Sequence, residues 1–166
     1  MGFRFGRAAA VCVAAGVAMI AGAALAHEDL GKVPDTPAAK AVVARHQNFK
    51  QLGGGFKAIM DELKKGSPDK AVISASAKKM NTLASQQASW FPKGSGPEAG
   101  VKTGAKPVIW TDPKGFAAAV QKLQAETGKL QQAASAGDLA AIKTQAQATG
   151  GACKSCHDKF REPDKH

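Results

Sequence analysis

Cys153-Lys154-Ser155-Cys156-His157, close to the end of a 166-residue chain, is the stretch from which the fold can be read. Two cysteines three positions apart, with a histidine directly after the second, form the pattern for covalent haem attachment. Both sulfurs make thioethers and the imidazole is an axial iron ligand. On a helix these three residues stand at i, i+3 and i+4, so a single turn presents both thiols and the imidazole on one face. The spacing predicts a helix beneath the motif, one haem c held through Cys153 and Cys156, and His157 as the metal ligand. A structural zinc site needs four closed ligands, and beyond the N-terminal segment the chain offers only these cysteines with His27, His46, His157 and His166. A thioredoxin-like redox pair requires a βαβ setting that the pattern does not supply, and a disulfide would leave the adjacent histidine unexplained.

Residues 1–26 read as an export signal. Arg4 and Arg7 give a positive start, Ala8 to Ala24 is almost wholly apolar or small, and Ala24-Leu25-Ala26 is a small-x-small cleavage site before His27-Glu28-Asp29. Cleavage after Ala26 is expected to deliver residues 27–166 to the periplasm as one domain, without a membrane span. Cys12 leaves with the signal. Removing Arg4 and Arg7 from the 23 basic residues leaves 21 against 13 acidic ones, a formal +8. All but Arg45 and Arg161 of these are lysines scattered along the chain, which reads as a solvated surface. The chain has no tyrosine and no stretch of interleaved basic and aromatic residues, so nucleic acid is not an expected partner.

Four helical segments follow from start signals and apolar spacing. The first opens at Thr36-Pro37 and runs to about Lys65, with Phe49, Leu52, Phe56, Ile59, Met60 and Leu63 on one stripe. The second opens at Ser67-Pro68-Asp69 and carries Val72, Ile73, Met80, Leu83 and Trp90; the Gly66-Ser67 turn makes the two antiparallel neighbours. A long Gly- and Pro-rich connection from Phe91 to Trp110 ends in apolar Val108-Ile109-Trp110, which is expected to pack on the bundle. The third helix begins at Thr111-Asp112-Pro113 and shows Phe116, Val120, Leu123, Leu130 and Ala134. The fourth starts after Gly137 with Asp138 as its cap and carries the haem motif in its last turns. No stretch alternates with period two, so the fold class is all-α, an antiparallel four-helix bundle with haem in its core. Gly150 and Gly151, just before the motif, signal either close approach of haem or a neighbouring helix, or a local kink.

Several segments occur together: Arg45-His46-Gln47-Asn48-Phe49-Lys50 with Leu52-Gly53, Trp90-Phe91-Pro92, Ile109-Trp110 with Phe116, and Cys153 through Arg161. The arrangement resembles cytochrome c′ and its relatives, the class II c-type cytochromes, over nearly all of residues 27–166. The resemblance implies a haem motif near the C-terminus of a four-helix bundle, His157 as proximal ligand and the first helix as the distal wall. It makes Arg45 the expected partner of a haem propionate and Arg161 the basic residue over the proximal face. In low-spin relatives a methionine four residues after the first-helix arginine, followed by lysine, is the sixth ligand; here that position is Phe49. Phenylalanine cannot ligate iron, so the resemblance implies five-coordinate, high-spin iron with Phe49 crowding the vacant side. Homodimers through the first two helices are common in the family.

Three other side chains come into question for the sixth position. Met80 falls mid-stripe in the second helix, where it reads as core filling. Met60 lies eleven residues beyond Phe49, roughly 16 Å along a helix axis and too far to reach the same iron. His46 follows Arg45 directly and overlaps the face of Phe49. The function classes are a carrier or binding module, moving electrons to periplasmic redox partners and binding NO or CO, and a haem enzyme with NO reductase-like or peroxidase-like turnover. Proton-moving distal groups assist peroxide cleavage and Phe49 supplies none, so binding and transfer are favoured over an enzyme unless His46 reaches the pocket. A low-spin electron carrier with His46 as sixth ligand is the remaining alternative.

Overall fold

The computed structural model describes Leu30 and residues 32–163; the export signal, its cleavage site, His27 and His166 lie outside the described residues. Four long helices carry the fold: α1 (Pro37–Glu62), α2 (Lys70–Gln86), α4 (Pro113–Ala136) and α5 (Leu139–Phe160), with a single turn α3 (Val108–Thr111) before α4. Among the described residues there is no strand, only an isolated antiparallel bridge between Ala105 and Arg161. The expected all-α four-helix bundle is therefore the observed one.

Each long helix starts where its cap dictates. Thr36 Oγ1 accepts from the Ala39 N–H at 3.2 Å and Pro37 takes the first turn, where its missing N–H costs nothing. Asp69, Asp112 and Asp138 accept the first free N–H groups of α2, α4 and α5. Gly137, at φ +67°, ends α4 in the left-handed conformation that glycine adopts without penalty. Three boundaries differ from the sequence expectation. Helix α1 stops at Glu62, and the Glu62 carboxylate accepts from the Asp69 N–H at 2.9 Å, so this side chain closes the turn into α2. Helix α2 gives way to a 3-10 turn, Gln87–Trp90, before reaching the tryptophan. The end of the long connection is itself helical at α3, with Pro107 as its cap residue and Pro113 opening α4.

Helix α2 packs extensively on α1 and α4, and α4 on α5, whereas α1 and α5 meet only sparingly. The principal core joins Leu52, Ile59, Ile73, Met80, Leu123, Leu130 and Ile142. Val72, placed on the buried stripe of α2 by its spacing, is 38% exposed, and Ile73 takes the inward position. A second cluster of Ile109, Phe116, Val120 and Phe160 seats α3 and the end of α5, confirming the packing expected of Val108-Ile109-Trp110. Polar pairs across the helices set their register: Asn81 donates to Gln131 at 2.8 Å, and the Gln145 amide donates to the Glu126 carbonyl at 3.2 Å. At Gly150 an added Cβ would stand 3.3 Å from the Phe56 ring, so this glycine serves close approach of α1 to α5.

Three carboxylates that join elements are held below their ordinary range by hydrogen bonds. These are Glu62 with Lys65 and the Asp69 N–H, Asp112 with Lys159 and the Gly115 N–H, and Glu126 with Gln145 and Lys129. A depressed folded-state value means that the charged form stabilises the fold. That contribution is complete above the unfolded carboxylate range, near pH 4, and is lost as pH falls through each depressed value. Thermal midpoints of the holoprotein are therefore expected to vary little through these groups from pH 7 to 5 and to drop below about pH 4. A drop already complete by pH 5 would show that these carboxylates are not responsible.

Candidate haem site

The motif lies on α5, where helical geometry sets Cys153, Cys156 and His157 on one face as their spacing requires. Cys153 packs against the principal core and Cys156 against the aromatic cluster, so the two thiols straddle the seam between these apolar regions. Both are half-buried and neither is in a disulfide. In the chain before haem attachment, burial raises the Cys153 thiol above its ordinary value and pushes Cys156 up to about 11, so both are protonated at neutral pH. His157 and Arg161 are exposed side by side and line a cleft of about 340 Å³ with Lys106, Asp158 and Glu162. The backbone after the motif is pinned to the long connection, since Lys106 N–H donates to Phe160 O at 3.0 Å and Glu162 N–H to Gly104 O at 2.8 Å.

Across the sparse α1–α5 side, Phe49 and Phe56 occupy one stripe of α1, with Gly53 one turn beyond Phe49. A Cβ added at Gly53, at Gly54, or at Gly151 on α5 would meet nothing within 4 Å. All three glycines are exposed, so no side chain stands beside them, and α1 packs only sparingly on the helix that carries the two thiols and the imidazole. A planar macrocycle with two vinyl groups and an iron fits this donor set, and the residues present are those that a c-type haem requires.

Residues 40–161 match the sequence model of the family described as Cytochrome C'. The chain belongs to the cytochrome c′ family. Its haem c is bound covalently through Cys153 and Cys156. Cytochrome c′ of Rubrivivax gelatinosus is 51% identical over 69 residues, 42% of this chain and 54% of that relative, so this alignment spans about half of the relative's length. A crystal structure of cytochrome c′ from Rubrivivax gelatinosus superposes with a TM-score of 0.68 at 36% identity, covering 74% of this chain and 94% of that one. A nitric oxide complex of a variant cytochrome c′ from Alcaligenes xylosoxidans gives a TM-score of 0.69 at 29% identity, covering 76% and 97%.

The other expected residues fall as follows. Phe49 is half-buried on α1, edge-on to Trp90 at 5.1 Å between ring centroids and to Phe91 at 6.1 Å. His46 is half-buried on the same helix. Arg45 is not at the surface: it is 4% exposed, and burial pushes its guanidinium down to about 10, still charged at neutral pH. Its Nη1 donates to Trp90 O at 3.3 Å and Ser95 Oγ at 3.1 Å, and its Nη2 to Ser95 O at 2.9 Å and Thr103 Oγ1 at 3.1 Å. With the four Nη hydrogens engaged in this way, a haem propionate is left the Nε–H.

Sequence reasoning did not find the partners of this arginine, Ser95 and Thr103. Both lie in a connection without periodicity and come to Arg45 only through folding. Nor did it give Phe91 the central place it holds. Its ring touches Phe49, Trp110 and Phe116 and lies 4.5 Å beneath the Arg45 guanidinium. Trp90-Phe91-Pro92 beside the glycines was the available signal.

Proposed function

We propose that this cytochrome c′-family protein is a periplasmic haem protein that transfers electrons and binds small neutral diatomic ligands, NO and CO, at a five-coordinate, high-spin iron. The observation that carries the reading is Phe49: an apolar ring on α1, held edge-on by Trp90 and Phe91, stands where low-spin relatives carry a methionine ligand. The nitric oxide complex of the Alcaligenes xylosoxidans protein supports it.

When bound, the haem supplies a redox-active iron with one open coordination position. The chain does the rest. Cys153 and Cys156 hold the group covalently, and His157, one position further along the same face, offers the proximal imidazole. Phe49 excludes water and bulky or anionic ligands from the opposite side while leaving a small neutral diatomic a place it can enter by displacing one ring. Arg161, beside His157 in the cleft, adds positive charge on the proximal side. No distal group that donates or accepts protons is assigned, and the reading is therefore of binding and transfer, with no catalytic residue. Residues 1–26 act as the cleaved export signal, and no helix among the described residues is long and apolar enough to cross a membrane. Periplasmic redox proteins are the partners, and a homodimer is a further expectation.

Visible absorption spectra of the oxidised and reduced protein test the centre of this reading. High-spin spectra with CO and NO complexes forming in the ferrous state are expected. A low-spin spectrum at neutral pH that becomes high-spin in His46→Ala would identify His46 as sixth ligand, close the pocket and leave electron transfer alone.

A further inference from the structure

The connection between α2 and α4 is held to α1 by an apolar cluster of Ala39, Val42, Ala99 and Val101 and, at three further points, by one buried polar side chain. Arg45 reaches from α1 to Trp90 O at the start of that connection, to Ser95 in its middle and to Thr103 near its end. The same guanidinium covers the ring of Phe91, and Phe91 with Trp90 forms the wall against which Phe49 rests. Arg45 is one helical turn before Phe49 on the same face, so the clamp and the ring it braces share one rigid element. Hydrogen bonds from a charged, buried donor are among the stronger ones, and a planar guanidinium fixes several acceptors at once.

We propose that Arg45, Ser95 and Thr103 form a latch that sets the gas affinity of the haem by holding Trp90 and Phe91 against Phe49. The inference rests on the reading of Phe49 as the distal residue and adds to it: the connection, through residues remote from the motif, is a positioning device for ligand discrimination. An entering ligand displaces Phe49 against a wall whose compliance Arg45 controls. Weakening the latch eases that displacement and raises affinity, whatever the Arg45 Nε–H bonds.

The test uses the ferrous holoprotein and CO, with affinity read from visible spectra. Thr103→Val and Ser95→Ala each remove one acceptor from Arg45 while leaving the arginine and the motif in place. Each is expected to raise CO affinity on the order of threefold to tenfold. Thr103→Ser, which retains the hydroxyl, is expected to keep wild-type affinity. In a Phe49→Ala background the same two substitutions are expected to have no further effect, because the ring they brace is gone. This coupling separates positioning from a general loss of stability, which would persist in both backgrounds. If Phe49→Ala raises affinity but Thr103→Val and Ser95→Ala do not, the latch is overturned while the distal role of Phe49 stands. If Phe49→Ala itself leaves affinity unchanged, the reading of Phe49 falls and the latch falls with it.

Discussion

Haem that survives acid-organic extraction from the wild type, and is lost from a protein carrying Cys153→Ala and Cys156→Ala, is the expected result with the largest effect. Each thiol can form one thioether, and among the described residues no other cysteine exists to replace them. Single substitutions are expected to leave one attachment point, so haem remains covalent but is held less firmly. The double substitution leaves only His157 and packing, and such haem partitions into the organic phase. Haem fully extractable from the wild type would remove the c-type assignment altogether. The consequence for the fold is also measurable. Helix α5, which carries the motif, packs only sparingly on α1, so the haem-free variant is expected to be the less stable protein in thermal unfolding.

Phe49→Ala is expected to raise the CO affinity of the ferrous protein by roughly fivefold to a hundredfold. Phe49 is edge-on to both Trp90 and Phe91. Each such aromatic pair contributes about 0.5–1.5 kcal/mol beyond simple burial. A ligand that displaces the ring gives up both, about 1–3 kcal/mol in all, and each 1.4 kcal/mol is about tenfold in affinity. Alanine has no ring to displace, so that cost vanishes. Phe49→Met instead places a thioether on the same helix face and is expected to shift the spectrum toward six-coordinate, low-spin iron. Unchanged affinity in Phe49→Ala, or a wild-type spectrum already low-spin, would show that Phe49 does not cover the vacant position. The His46→Ala spectrum then decides whether that histidine is the ligand.

Much of this molecule was legible because its information is local. Cys153, Cys156 and His157 need only one helical turn to share a face, and helical caps are short-range hydrogen bonds. Thr36, Asp69, Asp112 and Asp138 consequently mark the four long helices within a few residues. The misplaced boundaries arose where a distant group intervened. Glu62 ends α1 because its carboxylate serves the Asp69 N–H, and Val72 is exposed because α1 and α4 fix the rotation of α2 about its axis. At Gly150 the close contact is likewise with a distant residue, the ring of Phe56 on another helix.

By itself, then, the sequence determined the all-α bundle, the covalent haem motif and the absence of a thioether ligand at position 49, since each depends on residue type at fixed short spacing. Only the tertiary structure decided where Arg45 points. Its guanidinium needs several acceptors when buried, and those acceptors, Trp90 O, Ser95 and Thr103, lie 45 to 58 residues away. No periodicity or local propensity encodes a contact across that separation. It exists because the long connection folds back over α1, where burying a charge without such partners would be too costly for the fold to keep.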